Sequence, residues 1–190
     1  MKLTVIQGSP KQGGNTDILL DAVIRAAAAK GVSVEKISLN LLNMRPCQAC
    51  GGCDGTGECV IKDDMQAVYR ALDGSDAVVV GSPVFFCSVT AQVKIMADRM
   101  QCRWVRKYAL KRVSGKTGRK GAFICCGAFR SDEFFNCARR VVKAFMAVQD
   151  IELAGDVFFP GVDSAGDILK IDGALEKVRI MTERLISHYE

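Results

Sequence analysis

The sequence predicts an α/β domain built around a doubly wound, five-stranded parallel sheet. Short apolar runs alternate along the chain with segments whose apolar residues recur at helical spacing, which is typical of repeated strand–helix–strand units. The run 77–80 (Ala-Val-Val-Val) is apolar throughout, as in a strand that helices cover on both faces. A polar, Gly-rich loop joins the first strand to the first helix, as expected at the carboxyl edge of such a sheet.

Each predicted element follows from a local pattern of residues. β-branched and apolar residues indicate the strands, and polar caps followed by apolar residues three and four apart indicate the helices. In chain order the prediction is strand 3–7, helix 18–29, strand 32–39, helix 63–72, strand 77–80, helix 90–103, strand 121–126, helix 131–148, strand 152–159 and helix 165–187. We expect Asn15, Thr16 or Asp17 to cap the first helix, and Asp63 with Gln66 to form a capping box on the second.

Length and composition restrict the class of protein. The chain has 190 residues, 49% of them hydrophobic, with 26 Lys and Arg residues against 21 Asp and Glu residues. This length suits one domain, which we place at 1–190 with a Cys-rich loop insertion at about 41–62. No apolar run approaches the ~20 residues that cross a bilayer, and the chain enters its first strand without a signal-peptide segment. We therefore expect a cytoplasmic protein without a membrane partner.

The first loop has the chemistry of a phosphate site. It ends on a helix N-terminus, where the first backbone N–H groups have no partner inside the helix and the dipole is positive. The Walker lysine is missing, since Gly14 and Asn15 follow Gly13, and neither Gly-x-Gly-x-x-Gly nor a carboxylate at 38–40 is present. The loop therefore suits one terminal phosphate, although an ordinary strand-to-helix loop would use the same turn residues. The candidate phosphate-binding residues are Ser9, Lys11, Gly13, Gly14, Asn15 and Thr16.

Two further loops, 82–88 and 127–130, leave the same predicted edge of the sheet. Pro83 and Val84 make the second loop rigid, and Phe85 and Phe86 offer flat apolar surface to a planar heterocycle. The alternative is that the two rings fill core beneath the turn. The candidate residues around a bound ring are Pro83, Val84, Phe85, Phe86, Cys87, Ser88 and Gly127.

Four of the nine cysteines lie close together in the predicted loop insertion. Cys47, Cys50 and Cys53 are spaced Cys-x-x-Cys-x-x-Cys, and Cys59 follows among glycines that let a short loop wrap a compact group. This spacing is typical of a 4Fe-4S cluster, whereas structural zinc sites more often use two separated Cys-x-x-Cys pairs. Zinc and metal-free reduced thiols are the alternatives. The other cysteines except Cys87 are expected in the core, namely Cys102, Cys125, Cys126 and Cys137.

These motifs together resemble the NADPH-dependent FMN reductase family and, more narrowly, its iron–sulfur flavoprotein branch. The resemblance is carried by Gly8–Thr16, Asp63–Met65, Gly81–Ser88, Gln92–Lys94 and Asp98–Arg99, and beyond Arg103 it rests on the order of elements alone. It implies a flavodoxin-like fold with FMN in the crevice between the three loops, and a homodimer or homotetramer with subunit contacts near the flavin.

The resemblance also assigns roles within the two flavin loops. Ser9, Asn15 and Thr16 match the residues that hold the FMN phosphate, and the segment 83–88 matches the one that runs along the isoalloxazine. Two positions depart from the family pattern. The usual Tyr is Phe85, so a phenol hydrogen bond is lost, and the usual Gly is Cys87, which adds a side chain beside the flavin.

The span 99–120 is strongly basic. It carries nine cations and no acidic residue, so that the rest of the chain sums to −4 (5 − 9) against a net charge of +5. A solvated surface explains such charge, and the alternatives are a dock for an acidic, ferredoxin-like electron carrier or for the 2′-phosphate of NADPH. Nucleic acid is not expected as a partner, because the chain has one Trp and no known reader motif.

Together, these features predict an FMN-dependent oxidoreductase that passes electrons between FMN, a 4Fe-4S cluster and an external partner, either NAD(P)H or a ferredoxin-like protein. No catalytic side chain is expected, because the cofactors carry the redox chemistry. The single histidine, His188, is expected to be exposed, which argues against a hydrolase with a Ser–His or Cys–His pair. The alternatives are a clusterless NAD(P)H-dependent FMN or quinone reductase and a non-catalytic, flavodoxin-like electron carrier.

Overall fold

Five parallel strands form one sheet in the computed structural model, which describes residues 1–112 and 116–189. The strands are β1 (Lys2–Gln7), β2 (Ser33–Ser38), β3 (Ala77–Pro83), β4 (Arg119–Gly127) and β5 (Ile151–Pro160). Their order across the sheet is β2-β1-β3-β4-β5, and each neighbouring pair is parallel. The direction of winding therefore reverses between β1 and β3, and the predicted flavodoxin-like, doubly wound sheet is confirmed.

Helices cover both faces of this sheet. They are α1 (Asn15–Ala29), α2 (Met65–Gly74), α3 (Ala91–Asp98), the short α4 (Gln101–Trp104), α5 (Asp132–Ala147) and α6 (Ala174–Ile186). α1 and α6 lie on one face and pack against Leu3, Val5 and Ile124. α2, α3 and α5 lie on the other face and pack against Ile6 and Phe123. Among the described residues, no helix has the length and apolar character needed to cross a membrane.

The uninterrupted apolar run of the sequence lies in β3. Val78 and Val80 belong to the core beneath α2, α3 and α5, whereas Ala77 and Val79 belong to the core beneath α1 and α6. All four side chains are fully buried, because successive residues of a strand point to opposite faces and both faces are covered. The apolar run 77–80 therefore predicted this strand correctly, because helices cover it on both faces of the sheet as expected.

The predicted helix 90–103 is divided in two at Arg99. Thr90 caps α3 by accepting a hydrogen bond from the Val93 N–H, but the helix ends at Asp98. The Arg99 carbonyl accepts a hydrogen bond from the Tyr69 hydroxyl (2.6 Å). In a continuous helix the Arg103 N–H would bond to that carbonyl, but it donates to the Met100 carbonyl instead (2.8 Å). A tertiary hydrogen bond thus replaces a helical one, and a local pattern does not contain that information.

Three other predictions, two about helix capping and one about the burial of a cysteine, are wrong. α1 is preceded by Gly14 without a side-chain cap, since Asn15 and Asp17 bond to groups elsewhere. The capping box on α2 does not form, because the Gln66 amide donates to the Ile61 carbonyl. Cys137 is exposed rather than buried, since it lies on the outer side of α5. Cys102, Cys125 and Cys126 are buried and His188 is exposed, as predicted.

Candidate functional site

A cavity of about 410 Å³ lies at the carboxyl edge of the sheet, where β1, β3 and β4 end. The three predicted loops meet there. Ten of the thirteen predicted cofactor-binding residues line it, and they are Ser9, Lys11, Gly14, Asn15, Thr16, Pro83, Val84, Phe85, Phe86 and Gly127. Gly13, Cys87 and Ser88 do not line the cavity. We call this space the sheet-edge cavity.

Main-chain contacts hold the first two loops side by side. The Gly8 N–H donates to the Gly81 carbonyl (2.8 Å), and the Gly8 carbonyl accepts from the Thr90 hydroxyl (2.6 Å). A Cβ atom at position 8 would stand 2.2 Å from Cγ2 of Val93 and 2.8 Å from the Gly81 carbonyl oxygen. Only glycine therefore permits this approach, and the separation of the two loops is fixed before any ligand binds.

The N-terminus of α1 forms one end of the cavity. Gly14 and Thr16 are buried in its wall, and the Ser9 hydroxyl accepts a hydrogen bond from the Lys11 N–H (3.2 Å). Asp17, in the first turn, accepts from the Gly13 N–H (2.8 Å) and pairs with Lys36 (2.6 Å). Lys36 thus offsets the one carboxylate of the helix start, and the positive helix end remains favourable to an anion.

Lys36 is well suited to that role. Burial alone would lower the pKa of its ammonium group, but hydrogen bonds to Asp17 and Asp21 outweigh burial and hold the pKa above its ordinary value. The lysine therefore stays charged throughout the physiological range.

Asn15 has a different contact from the one the sequence suggested. Its amide donates to the Ser164 carbonyl (2.8 Å), and its side-chain oxygen accepts from the Ile168 N–H (3.3 Å). The side chain thus fastens the segment after β5 to the start of α1, and Val162 and Asp163 of that segment line the sheet-edge cavity. Sequence reasoning missed this wall because nothing local connects positions 15 and 164.

The aromatic end of the cavity is a two-residue hairpin. Phe85 and Ser88 exchange both backbone hydrogen bonds (2.9 and 3.0 Å), while Phe86 and Cys87 between them have φ values of +44° and +62°. Two consecutive left-handed residues define a turn that normally selects Asn and Gly. The Phe85 side chain is 46% exposed and that of Phe86 fully exposed. The alternative that both rings fill core is therefore wrong.

Cys126 is a cavity residue that sequence reasoning placed only in the core. Its thiol lies 3.3 Å from the Thr16 hydroxyl, across the floor of the sheet-edge cavity. Burial raises the pKa of Cys126 despite the hydrogen bond with Thr16, so the group is a neutral thiol rather than a nucleophile. Ala128 and Phe129 complete the wall beside Gly127, and Phe129 packs on Phe134 with ring centroids 4.7 Å apart.

A second cavity of about 430 Å³ lies beside the Cys-rich segment, and we call it the cysteine cavity. Cys47, Cys50, Cys53 and Cys59 all line it, as does Cys102 from α4. Burial, reinforced by Cys102 and Asp54, raises the pKa of the Cys53 thiol. Within 1–112 and 116–189, no three His, Cys, Asp or Glu side chains converge closely enough to hold a single metal ion. The four motif thiols therefore line one cavity without converging on a position where a single metal ion could bind.

Arg99, which lies between α3 and α4, also lines the cysteine cavity. Its side chain is completely buried and makes a two-pronged ion pair with Asp63, at 2.7 Å from Nη1 and 3.1 Å from Nη2. Burial by itself would raise the pKa of Asp63, but the bonds from Arg99 and from the backbone N–H groups of Arg45 and Met65 bring the pKa below its ordinary value. The pair is therefore ionised at neutral pH.

Comparison with known proteins decides the family. Residues 1–150 match the NADPH-dependent FMN reductase family, which is most of the chain. The chain belongs to this family. It is accordingly a flavin-dependent oxidoreductase whose cofactor is FMN.

Within the FMN reductase family, the chain lies in the iron–sulfur flavoprotein branch. An iron-sulfur flavoprotein of Archaeoglobus fulgidus is 35% identical over 170 residues, which cover 90% of this chain and 75% of that protein. The iron-sulfur flavoprotein of Methanosarcina thermophila is 33% identical over 60% of either chain. One from Methanocaldococcus jannaschii is 38% identical over 52% of this chain and 51% of its own length. The match thus spans between half and three quarters of these relatives.

Two solved structures share the fold of this chain. A flavone reductase superposes with a TM-score of 0.72 at 16% identity, covering 100% of this chain and 65% of that protein. An azoreductase of Bacillus anthracis superposes with a TM-score of 0.70 at 14% identity, covering 97% and 99%. At this identity the likeness concerns the fold alone.

Proposed function

We propose that this chain is an electron-transferring oxidoreductase that binds FMN in the sheet-edge cavity and a 4Fe-4S cluster in the cysteine cavity. The observation that carries the proposal is the pairing of the two cavities. One joins a helix N-terminus to exposed aromatic rings at the switch point of a parallel sheet, and the other collects the four motif cysteines. When bound, FMN would accept a hydride or single electrons, and the cluster would pass one electron at a time.

The sheet-edge cavity fits FMN at both ends. At the phosphate end, the backbone N–H groups at the start of α1, the hydroxyls of Ser9 and Thr16 and the Lys11 ammonium would hold the phosphate. Gly14 keeps this end open, since a Cβ there would lie 3.1 Å from Cβ of Lys11. Asn15 would act through its backbone and through the 161–168 segment, because its side-chain amide is already engaged.

At the ring end, Pro83, Val84 and Phe85 would border the isoalloxazine along one side and Gly127 along another. A Cβ at Gly127 would lie 3.1 Å from Cβ of Val84, so a side chain there would narrow the slot. Phe85 offers only its ring, because it has no phenol to donate. Cys87 and Ser88 would shape the hairpin without reaching the cavity.

The cysteine cavity fits a 4Fe-4S cluster better than a single zinc ion. In such a cluster each thiolate binds a different iron, so the ligands stand around a compact volume, whereas zinc requires four ligands at one point. The four motif thiols would be the ligands. Cys102 would remain a buried neighbour, since its thiol lies 3.4 Å from both the Tyr69 hydroxyl and the Arg99 carbonyl oxygen.

We further propose an electron donor that approaches from the basic span, either NAD(P)H or an acidic, ferredoxin-like protein. Arg112 donates to the Thr56 carbonyl (3.0 Å) and Arg106 pairs with Glu58 (3.5 Å), so basic residues border the Cys-rich segment. Some basic side chains of the span do not lie at the surface, because Arg103 and Arg119 are buried. Residues 113–115 of the span lie outside the described residues.

The assembly and location are part of the same proposal. Phe85, Phe86 and Phe129 expose aromatic surface around the sheet-edge cavity, which supports a homodimer or homotetramer whose subunits meet near the flavin. All nine cysteines are unpaired thiols, which supports a reducing, cytoplasmic location.

One anaerobic preparation tests the proposal. We expect about four iron and four sulfide atoms and one FMN per chain, with iron–sulfur and flavin absorption together in one spectrum. Cys53→Ala should lose the iron and keep the FMN, whereas Cys137→Ala, an exposed cysteine on α5, should keep both. FMN without iron in the wild type would instead support a clusterless FMN or quinone reductase. Protein that binds no FMN would overturn the proposal as a whole.

A further inference from the structure

We propose that Arg99 is the residue that closes the Cys-rich segment into a binding site, and that its Nε–H is a hydrogen-bond donor to a sulfur held there. The inference rests on the proposed function, because it concerns the group in the cysteine cavity. Arg99 would be a positioning residue, since its guanidinium acts through the segment that carries the four thiols.

The terminal nitrogens of Arg99 join the two ends of the Cys-rich segment. Nη1 donates to the Arg45 carbonyl (2.7 Å), and Nη2 donates to the Ile61 carbonyl (3.2 Å). Arg45 lies two residues before Cys47, and Ile61 lies two residues after Cys59. One planar group therefore fixes the entrance and the exit of the segment that carries all four motif cysteines.

Asp63 holds the guanidinium in this plane. Its two oxygens accept from Nη1 and Nη2, and its Oδ2 also accepts from the Arg45 N–H (2.9 Å). The Arg99 side chain has no exposed area and that of Asp63 is 9% exposed. A buried pair of this kind fixes geometry, because either partner left alone would be an uncompensated buried charge.

A lysine at this position would keep the charge but not all of these contacts. The four contacts require donors on two atoms in one plane at fixed separation, which the guanidinium supplies and a single ammonium does not. The main chain of Arg99 is anchored separately, since its carbonyl accepts from the Tyr69 hydroxyl of α2 at 2.6 Å. The main chain of Arg99 is therefore fixed to the helical layer, whereas the Cys-rich segment that its side chain holds has no regular secondary structure. We call these side-chain contacts of Arg99 the clamp.

The remaining donor of Arg99 points to a ligand. Nε is buried and has no hydrogen-bond partner among the described residues, while Arg99 lines the cysteine cavity with the four thiols. A buried N–H without an acceptor is destabilising. A thiolate or sulfide in the cavity would supply the acceptor, and such a bond to a charged donor favours the reduced, more negative state of the bound group.

The first test uses metal-free protein, so that it does not depend on the cluster. In Arg99→Met we expect amide hydrogen exchange in residues 45–62 to accelerate at least about tenfold, because the variant loses all four bonds of the guanidinium and one charge-assisted bond alone corresponds to about that factor. Exchange at residues 8–16 should not change. Arg103→Met is the matched control, because Arg103 is also buried and pairs with Asp73 (2.6 Å) but does not line the cysteine cavity.

The second test uses iron-loaded protein. We expect Arg99→Met to retain less than about a tenth of the wild-type iron, as for other losses of outer-shell partners. Arg99→Lys keeps the charge and should retain iron, but release it faster to a chelator and show a more negative reduction potential than the wild type. A merely structural role would not move that potential.

The outcomes separate this inference from the proposed function. If the wild type binds no iron, the proposed function fails, and the exchange experiment still decides whether Arg99 clamps the segment. If the wild type binds iron but Arg99→Met matches Arg103→Met in exchange and iron content, the clamp is overturned and the proposed function stands. If Arg99→Lys and the wild type have the same reduction potential, the proposal that the Arg99 Nε–H donates a hydrogen bond to a sulfur is overturned.

Discussion

The two cavities of this protein are built in opposite ways. The sheet-edge cavity is bounded by the ends of β1, β3 and β4 and by the start of α1, so regular hydrogen bonding places its walls. The cysteine cavity is bounded by a segment without regular secondary structure between 42 and 62, which one buried arginine joins to the helical layer. The first wall is maintained by the fold as a whole, and the second depends on a few side-chain contacts, chief among them the buried contacts of Arg99 with the Arg45 and Ile61 carbonyls. This difference can be tested by substitutions that disturb one cavity and spare the other.

The largest effect is expected from Asp63→Ala. Removing this carboxylate leaves the Arg99 guanidinium buried without its counter-charge, which costs about 3–5 kcal/mol. Urea unfolding should show this loss, and protease cleavage should concentrate in residues 45–62. Asp64→Ala is the control, because Asp64 is exposed and, within the described part of the chain, its carboxylate accepts only the Asn43 N–H (2.7 Å) at the surface. Equal stability of the two variants would show that the buried pair does not hold the segment.

The next effect belongs to the sheet-edge cavity. Gly8→Ala forces a methyl group against Val93 and against the Gly81 carbonyl oxygen, and the backbone side of this contact cannot move away cheaply. We expect a loss of about 2–3 kcal/mol in unfolding free energy together with weaker FMN binding. Gly55→Ala in the Cys-rich segment is the matched control, because a Cβ there meets nothing within 4 Å. A Gly8→Ala protein as stable as Gly55→Ala would contradict the close approach of the two loops.

A smaller effect is expected from Asn15→Ala, which releases the 161–168 segment from α1. We expect FMN affinity to fall about tenfold, since two hydrogen bonds that close one wall are lost. Fluorescence quenching of FMN on titration measures the affinity. Asn136→Ala serves as control, because Asn136 is exposed on α5. Unchanged affinity in Asn15→Ala would mean that the 161–168 segment does not contribute to binding.

The two cavities should also differ in their response to acid. The pKa of Asp63 is lowered in the folded protein, so its stabilising contribution is complete above the unfolded value near 4 and is lost as the pH falls through the lower, folded value. Exchange in residues 45–62 should therefore rise below about pH 4 relative to residues 8–16. In Asp63→Asn this additional acid sensitivity should be absent. If both proteins open identically in acid, other carboxylates control the segment.

The smallest effect is a gain in stability. Cys87 adopts a left-handed conformation that costs an L-residue about 1 kcal/mol, and Cys87→Gly should recover it. The urea midpoint should rise, whereas Cys87→Ala, which keeps a Cβ, should not raise it. A midpoint that falls in Cys87→Gly would show that the thiol makes a contact outweighing the strain.

The same contrast explains what the sequence could predict. The strands, the parallel sheet and the sheet-edge cavity follow from apolar periodicity and from loops at carboxyl ends, since these patterns are local and the topology rules then bring them together. The flavodoxin-like order of the strands came from the family resemblance. The cysteine motif was equally visible as a spacing. Local patterns did not contain the partners of Arg99, which lie 36 to 54 positions away, or the bond from Asn15 to Ser164. Cys102 was predicted only as core, because nothing in its neighbourhood links it to the cysteine segment.

The most direct measurement is the FMN and iron content of Asn15→Ala and Arg99→Met, determined side by side in anaerobic protein at limiting FMN. If the two cavities form independently, each substitution should remove one bound group and leave the other. Asn15→Ala should lose FMN and keep wild-type iron, and Arg99→Met should lose iron and keep wild-type FMN. Loss of both groups in either variant would contradict the account, because it would mean that the two cavities form and collapse as one site.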